Sequence, residues 1–139
     1  MKYILLLPTL FSYGNEAAVA TLPDPVPDQE MPTSENGLSL MLTDDTFTGS
    51  PTIIETVVQN DSSHDYNFGE FYHIEVNTGN LWYIITYSDA VFYKYPQFTD
   101  IGSILQAGDK AHQTFPVEAL GVTLFPEEYR LVKNFFITR

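Results

Sequence analysis

The chain has 139 residues, a length that suits one domain. Its 18 acidic and 6 basic residues give a net charge of −12, which argues against nucleic acid and anionic membranes as partners, because both attract Lys and Arg. The absence of cysteine excludes disulfides, thiolate metal sites, cysteine nucleophiles and lipid attachment through cysteine. We interpret the acidity as a feature that favours solubility.

Residues 1–20 contain the three parts of a secretory signal. Lys2 gives a positive start, an apolar run covers 4–11, and an Ala-Val-Ala sequence at 18–20 offers small residues where a signal peptidase cuts. The apolar run is far shorter than the roughly 20 residues of a bilayer-spanning helix. We therefore predict an export signal cleaved after residue 20, a secreted or periplasmic cell-envelope location, and no transmembrane segment. The alternative is an N-terminal β-strand buried in the domain.

Residues 21–36 predict a Pro-rich linker. Four of the nine prolines lie here among Asp, Glu, Ser and Thr. Proline removes backbone donors and favours extended polyproline conformation. A solvated stalk and a disordered tail are both compatible with this composition.

The folded domain is predicted to cover residues 37–139. Apolar and polar residues alternate with a period of two over Leu38–Leu42, which is typical of a strand. The next strand is predicted over Thr52–Gln59, with Ile54, Thr56 and Val58 on its inward face.

A hairpin is predicted in the middle of the chain. Its first strand covers Tyr66–Val76, where Gly69 indicates a bulge or bend. The turn Asn77–Asn80 contains Gly79, because Asn and Gly tolerate positive φ. In the return strand, Leu81–Tyr87, Trp82 and Ile84 are expected on one face and Tyr83 and Ile85 on the other.

The last third of the sequence is predicted to form further strands and turns. Ser88–Asp100 is expected to form a long aromatic loop, and Gly108 lies in a turn. Pro126 and Tyr129 invite comparison with a tyrosine corner, in which a Tyr hydroxyl bonds to nearby backbone and fixes a connection between sheets. Helical periodicity of useful length is absent from the sequence, so we predict an all-β sandwich. The remaining predicted elements are strands at Ile101–Leu105, Lys110–Phe115 and Tyr129–Ile137 and a single helical turn at Val117–Leu120.

Three segments, VVQNDSSHDYNFGEFYHIE, FTDIGSILQAGD and LFPEEYRLVK, resemble in this order a family of bacterial immunoglobulin-like domains on exported proteins and lipoproteins. The resemblance implies an immunoglobulin-like antiparallel β-sandwich outside the cytoplasm, without enzyme activity. The lipobox cysteine of many members is missing here. Members also continue into one more strand after the YRLVK segment, so the domain is expected to lack its last strand. Either Leu38–Leu42 compensates, or one sheet edge lies open as a template for pairing with another chain.

Catalytic motifs are absent from the sequence. A G-x-S-x-G elbow, a P-loop and a G-x-G-x-x-G sequence do not occur. The loop Ser62–Asp65 has the residue types of a catalytic triad, but neighbours in one loop cannot adopt triad geometry. His64, His73 and His112 lack zinc-binding spacing and are predicted to lie on the surface. We therefore predict no enzyme and no cofactor.

Two binding sites are considered. Asp44, Asp45, Asp61 and Asp65, with Asn60, are candidate calcium ligands if the sandwich brings their loops to one end, with solvated turns as the favoured alternative. An aromatic set is a candidate platform for a protein or glycan partner, with core packing as the alternative. It consists of Trp82, Tyr87, Phe92, Tyr93 and Tyr95.

These observations predict a protein-binding or structural module at the bacterial cell envelope. A second hypothesis is a proteinase inhibitor whose loops block a protease cleft, because the Asn-x-Ser and Tyr-x-Phe-Gly pattern resembles a family of intracellular inhibitors with a similar sandwich. A third is a carbohydrate-binding module. Cleavage of the signal would favour the first hypothesis over the second.

Overall fold

A computed structural model describes residues 9–13, 19–69, 72–86 and 103–138, with the backbone alone described for 9–13 and for residue 120. The described chain is all-β, as predicted, and its helical content is one 3₁₀ turn at Glu118–Leu120. The strands are β1 (Thr9–Tyr13), β2 (Ser34–Glu35), β3 (Leu38–Leu42), β4 (Thr46–Thr48), β5 (Ile53–Asn60), β6 (Tyr66–Phe68), β7 (His73–Thr78), β8 (Leu81–Ile84), β9 (Ser103–Leu105), β10 (Lys110–Pro116), β11 (Glu127–Val132) and β12 (Phe136–Ile137).

The described strands form three sheets, of orders β4-β1-β11-β7-β8, β10-β5-β3-β2 and β12-β6-β9. β1 and β4 are parallel, and the other ladders among these strands are antiparallel. β3 pairs with β5 in the four-stranded sheet. Leu38–Leu42 therefore does not lie beside the YRLVK strand, where β1 pairs instead.

The chain links the three-stranded sheet to the five-stranded one. Val132 is the partner of His73, and Phe136 is the partner of Asn67. Gly69 follows β6, and its carbonyl accepts a hydrogen bond from the Nζ of the buried Lys133. The predicted strand over Tyr66–Val76 is described as two strands, β6 and β7, and residues 70 and 71 lie outside the described residues.

The β7–β8 hairpin has the predicted turn. Gly79 and Asn80 connect the two strands, and both have positive φ. This is the geometry of a two-residue turn whose twist matches that of the flanking strands.

The core lies between the sheets and follows the period of two. Along β5 the buried residues are Ile54, Thr56 and Val58, the predicted inward face. β7 and β11 contribute Ile74, Val76, Tyr129 and Leu131. A second cluster surrounds Tyr66, Phe68 and Phe135 near the three-stranded sheet. The opposite face of β7 and β11 is therefore free to carry polar groups.

Candidate binding site

The face of the five-stranded sheet that points away from the core carries a row of polar side chains. Register places Arg130 of β11 opposite Glu75 of β7, and Glu128 opposite Asn77. Trp82 of β8 is in turn the partner of Asn77. Alternation explains this placement, because the neighbours of Glu75 and Arg130 in sequence face the core.

Glu75 and Arg130 form a buried ion pair. Their exposed fractions are 1% and 4%. Oε1 of Glu75 lies 2.6 Å from Nε and 2.5 Å from an Nη of Arg130, and Oε2 lies 2.7 Å from Nε2 of His73. Both carboxylate oxygens thus have partners, as a buried charge requires. His73, predicted to lie on the surface, is half-buried by this contact.

The pair is buried because the segment Ala20–Gln29, here called the strap, lies over it. Arg130 donates hydrogen bonds to the carbonyl oxygens of Gln29 at 2.8 Å and Asp28 at 2.6 Å. The side-chain amide of Gln29 pairs with the backbone of Trp82, accepting from its N–H at 2.8 Å and donating to its carbonyl at 3.1 Å. The Gln29 side chain therefore acts as one more residue of a strand beside β8.

The strap also pairs with the edge of β8 through its backbone. Leu22 N–H donates to Ile84 O and Val26 N–H to Trp82 O, each at 2.9 Å. Thr86 N–H donates to Ala20 O, and Thr21 forms a bridge with Ile85. Val26 is buried, whereas most other strap residues are exposed. The segment predicted as part of a solvated linker is thus bound along its backbone.

The prolines of the strap suit this edge. Leu22 and Val26 direct their amides at β8, while Pro23, Pro25 and Pro27 occupy the alternate positions. The two bonded amides are four residues apart in the strap, whereas their partners on β8 are two apart, and residues 23, 24 and 27 are bends, so the strap is not a regular strand. Proline has no amide hydrogen, so at these positions it loses no hydrogen bond to β8.

Trp82 is the one member of the predicted aromatic platform that the structure describes. Cζ of Arg130 lies 4.5 Å from the centroid of its ring, a cation–π contact. One face of the indole is therefore occupied by the domain itself. Tyr87, Phe92, Tyr93 and Tyr95 lie outside the described residues.

The candidate calcium ligands do not come together. β3 begins opposite Asn60 and ends opposite Thr56, so Asp44 and Asp45, which follow β3, lie at the other end of the sandwich from Asp61 and Asp65. Asp61 accepts a hydrogen bond from Gln59 and Asp65 accepts one from the Ala107 N–H. Across the described ranges, no three His, Asp or Glu residues are placed to hold a metal ion.

The Ser62–Asp65 loop is organised by Asn60, which is fully buried. The Asn60 amide donates to His64 O at 2.8 Å and Leu105 O at 3.1 Å, and its Oδ1 accepts from Ser62 N–H at 3.0 Å and Ser62 Oγ at 2.6 Å. Ser62 Oγ also contacts the His64 backbone. The triad-like residue types therefore shape a turn. Gly108 joins the same network by donating to Asn60 O.

The Tyr129 hydroxyl donates a hydrogen bond to the Phe125 carbonyl, which flanks Pro126. This is the contact of a tyrosine corner. Burial, together with the nearby Glu127 carboxylate, raises the pKa of Tyr129 far above its usual value. The residue is thus a protonated structural anchor.

His64 and His112 are exposed, and no helix within the described residues is long and apolar enough to cross a membrane. Residues 34–139, well over half of the chain, match a family model described as a bacterial Ig-like domain. No curated protein and no solved structure matches the chain. β1 and the strap precede the matched residues.

Proposed function

Since the chain belongs to the bacterial immunoglobulin-like domain family, we propose that it is an exported, non-enzymatic module that binds an extended segment of a protein at the cell envelope. The observation that carries the proposal is the strap, a peptide segment held along the edge of β8 and over the pair of Glu75 and Arg130. Most of the hydrogen bonds that hold the strap are made by backbone atoms of the strap.

The contacts of this face are suited to an extended backbone. Arg130 donates to two strap carbonyls, and the edge of β8 pairs with strap amides. Such contacts give affinity with little dependence on sequence, whereas pockets for alternate side chains give specificity. Here the buried Val26 and the amide of Gln29 supply the specific part.

Export is supported by the N-terminal sequence. A positive start, an apolar run and a small-x-small sequence are arranged as in a secretory signal. A domain without cysteine needs no oxidation step after export, and its acidic surface favours solubility. The non-enzymatic role is supported by the use of the described triad-type residues and ion pairs in structural contacts.

The binding role is tested with a labelled peptide of the strap sequence, TLPDPVPDQE. The full chain should not bind it, because its own strap occupies the face. A Val26→Asp and Gln29→Ala variant should bind it, because both changes loosen the strap. Adding Arg130→Met to that variant should abolish binding. If circular dichroism shows that the Val26→Asp and Gln29→Ala variant is folded and it does not bind the peptide, the binding role is wrong.

Export is tested separately by fusing residues 1–20 to a reporter enzyme that is active only outside the cytoplasm. The fusion should be active and should be cut after residue 20, as measured by mass spectrometry. The control is Leu6→Arg, which breaks the apolar run and should abolish activity. A fusion that stays inactive and retains Met1 would refute export.

A further inference from the structure

The strand beside β11 comes from the N-terminal end of the chain. β1 pairs antiparallel with β11, from Thr9 opposite Arg130 to Ser12 opposite Glu127. On its other side it pairs parallel with β4, from Phe11 opposite Thr46 to Tyr13 opposite Thr48. The position between β4 and β11, here called the strand slot, is therefore bounded by a strand on each side, and its occupant runs antiparallel to β11 and parallel to β4.

The two strands that bound the slot lie in the part of the chain that matches the family, and the strand that fills it lies before that part. β4 and β11 lie within residues 34–139, which match the family domain, whereas β1 precedes them. β1 also lies inside the 20-residue segment with the features of a cleaved signal. The domain thus supplies the slot, and a separable segment fills it.

We propose that the strand slot is an exchange site. Residues 9–13 occupy it while the N-terminal segment is attached, and a strand from another polypeptide enters it in a chain that begins at Thr21. This second step rests on the export proposed above. An empty slot would leave β11 with one unpaired edge, and such an edge is a template for strand addition.

Charge around the slot indicates the chemistry of the incoming strand. β11 begins with Glu127 and Glu128, and Asp44 and Asp45 precede β4. β1 itself is uncharged, and the nearest charge before it is Lys2. Register places Glu128 and Glu127 opposite Phe11 and Ser12, whereas Arg130 lies opposite Thr9. The occupant should therefore be a strand without acidic residues, with any basic residue at its C-terminal end, because like charges facing each other across a sheet destabilise it.

The bond after Ala20 lies where the strap begins. Val19 packs against the core, and the carbonyl of Ala20 accepts a hydrogen bond from Thr86, but Ala20 itself is exposed. Removal of residues 1–20, before or after folding, takes β1 away and leaves the slot without its own strand.

The slot is tested without relying on export. A protease recognition sequence is inserted between Gly14 and Asn15 of the full chain, and the protein is folded and then cut. A fluorescent peptide of residues 7–13 with two added C-terminal lysines, at the end nearer Glu127, is offered in excess, and anisotropy measures binding. The peptide should displace the cut segment. A matched peptide with Phe11→Pro should bind at least about tenfold more weakly, because proline removes an amide from a strand paired on both sides.

Each outcome decides the proposal. Uptake of the first peptide with discrimination against the proline peptide supports it, as does unfolding after cutting that only the first peptide reverses. Equal binding of both peptides, no uptake, or unfolding that the first peptide fails to reverse overturns it. Failure of the reporter fusion together with successful exchange would refute export while leaving the slot intact.

Discussion

Replacing Arg130 by Met removes the cation from the buried pair with Glu75 and leaves the carboxylate with His73 as its remaining described partner. Breaking one side of a buried pair costs about 3–5 kcal/mol, because the other charge stays buried without compensation. Arg130→Met also loses the two bonds to strap carbonyls. We therefore expect a loss of about 4 kcal/mol in the free energy of unfolding.

The second expectation concerns the double variant Glu75→Leu and Arg130→Met. Apolar replacement of both members of a buried pair is often neutral or stabilising. The double variant should therefore be more stable than the sum of the single variants predicts, by at least about 2 kcal/mol. The loss of stability that remains should come from the strap, because Met at position 130 cannot donate hydrogen bonds to the carbonyls of Asp28 and Gln29.

Urea unfolding is the assay, followed by fluorescence of Trp82, which is the only tryptophan and contacts Arg130. With a slope of about 2 kcal/mol/M, the midpoint of Arg130→Met should fall by about 2 M. Far-UV circular dichroism checks that the fluorescence change reports global unfolding.

Asn77→Ala is the matched control. Asn77 and Glu128 lie on the same two strands and the same face, and the Asn77 amide donates to Glu128 Oε1 at 2.9 Å. Both are half-buried, so the cost should be about 1 kcal/mol or less. If Arg130→Met costs no more than Asn77→Ala, the reasoning about burial of the pair is wrong.

Three further predictions use the same unfolding assay. Asn60→Leu should lose about 3 kcal/mol, because four hydrogen bonds of a buried side chain disappear; a loss below about 1 kcal/mol would contradict its organising role. Gly37→Ala should reduce the free energy of unfolding more than Gly49→Ala, although the two φ values are +85° and +84°. An added Cβ at Gly37 would lie 2.7 Å from Ser62 Cβ, whereas one at Gly49 would meet nothing within 4 Å. Equal losses would mean that the loop at Ser62 moves to make room. The pKa of Tyr129 is raised in the folded state, so its contribution to stability is present below the unfolded pKa of about 10 and decreases above it, by up to about 1.4 kcal/mol per pH unit. The loss of stability between pH 10 and 11 should therefore be smaller in Tyr129→Phe than in the unchanged chain. Identical losses in the two proteins would refute the assignment.

The sequence predicted the strands whose signal is local. Alternation located β3, β5 and β10 to within about two residues, and the β7–β8 turn followed from the conformational freedom of Asn and Gly. β2 and β4 were missed, since they contain two and three residues and such strands carry too little alternation to be recognised.

The site was harder to predict because its burial is produced by a distant segment. Glu75 and Arg130 alternate with core residues and thus have the pattern of solvent-facing positions. They are buried because residues 28 and 29 cross them. A contact between positions 28 and 130 does not alter the alternation of apolar and polar residues, so the sequence pattern does not reveal it. Lys133 is similar, since its Nζ donates to the carbonyl of Gly69 and lies near the rings of Phe68 and Phe115.

β1 and the strap lie at different places in the five-stranded sheet. β1 lies between β4 and β11, and the strap lies along β8. Cleavage after Ala20 would remove β1 completely but would leave the strap bonds of Leu22, Val26 and Gln29 in place. A partner at β8 would then have to displace the strap, whereas a donated strand would find the slot beside β11 without its own strand. Export would thus make the slot accessible while the strap still covers the ion pair of Glu75 and Arg130.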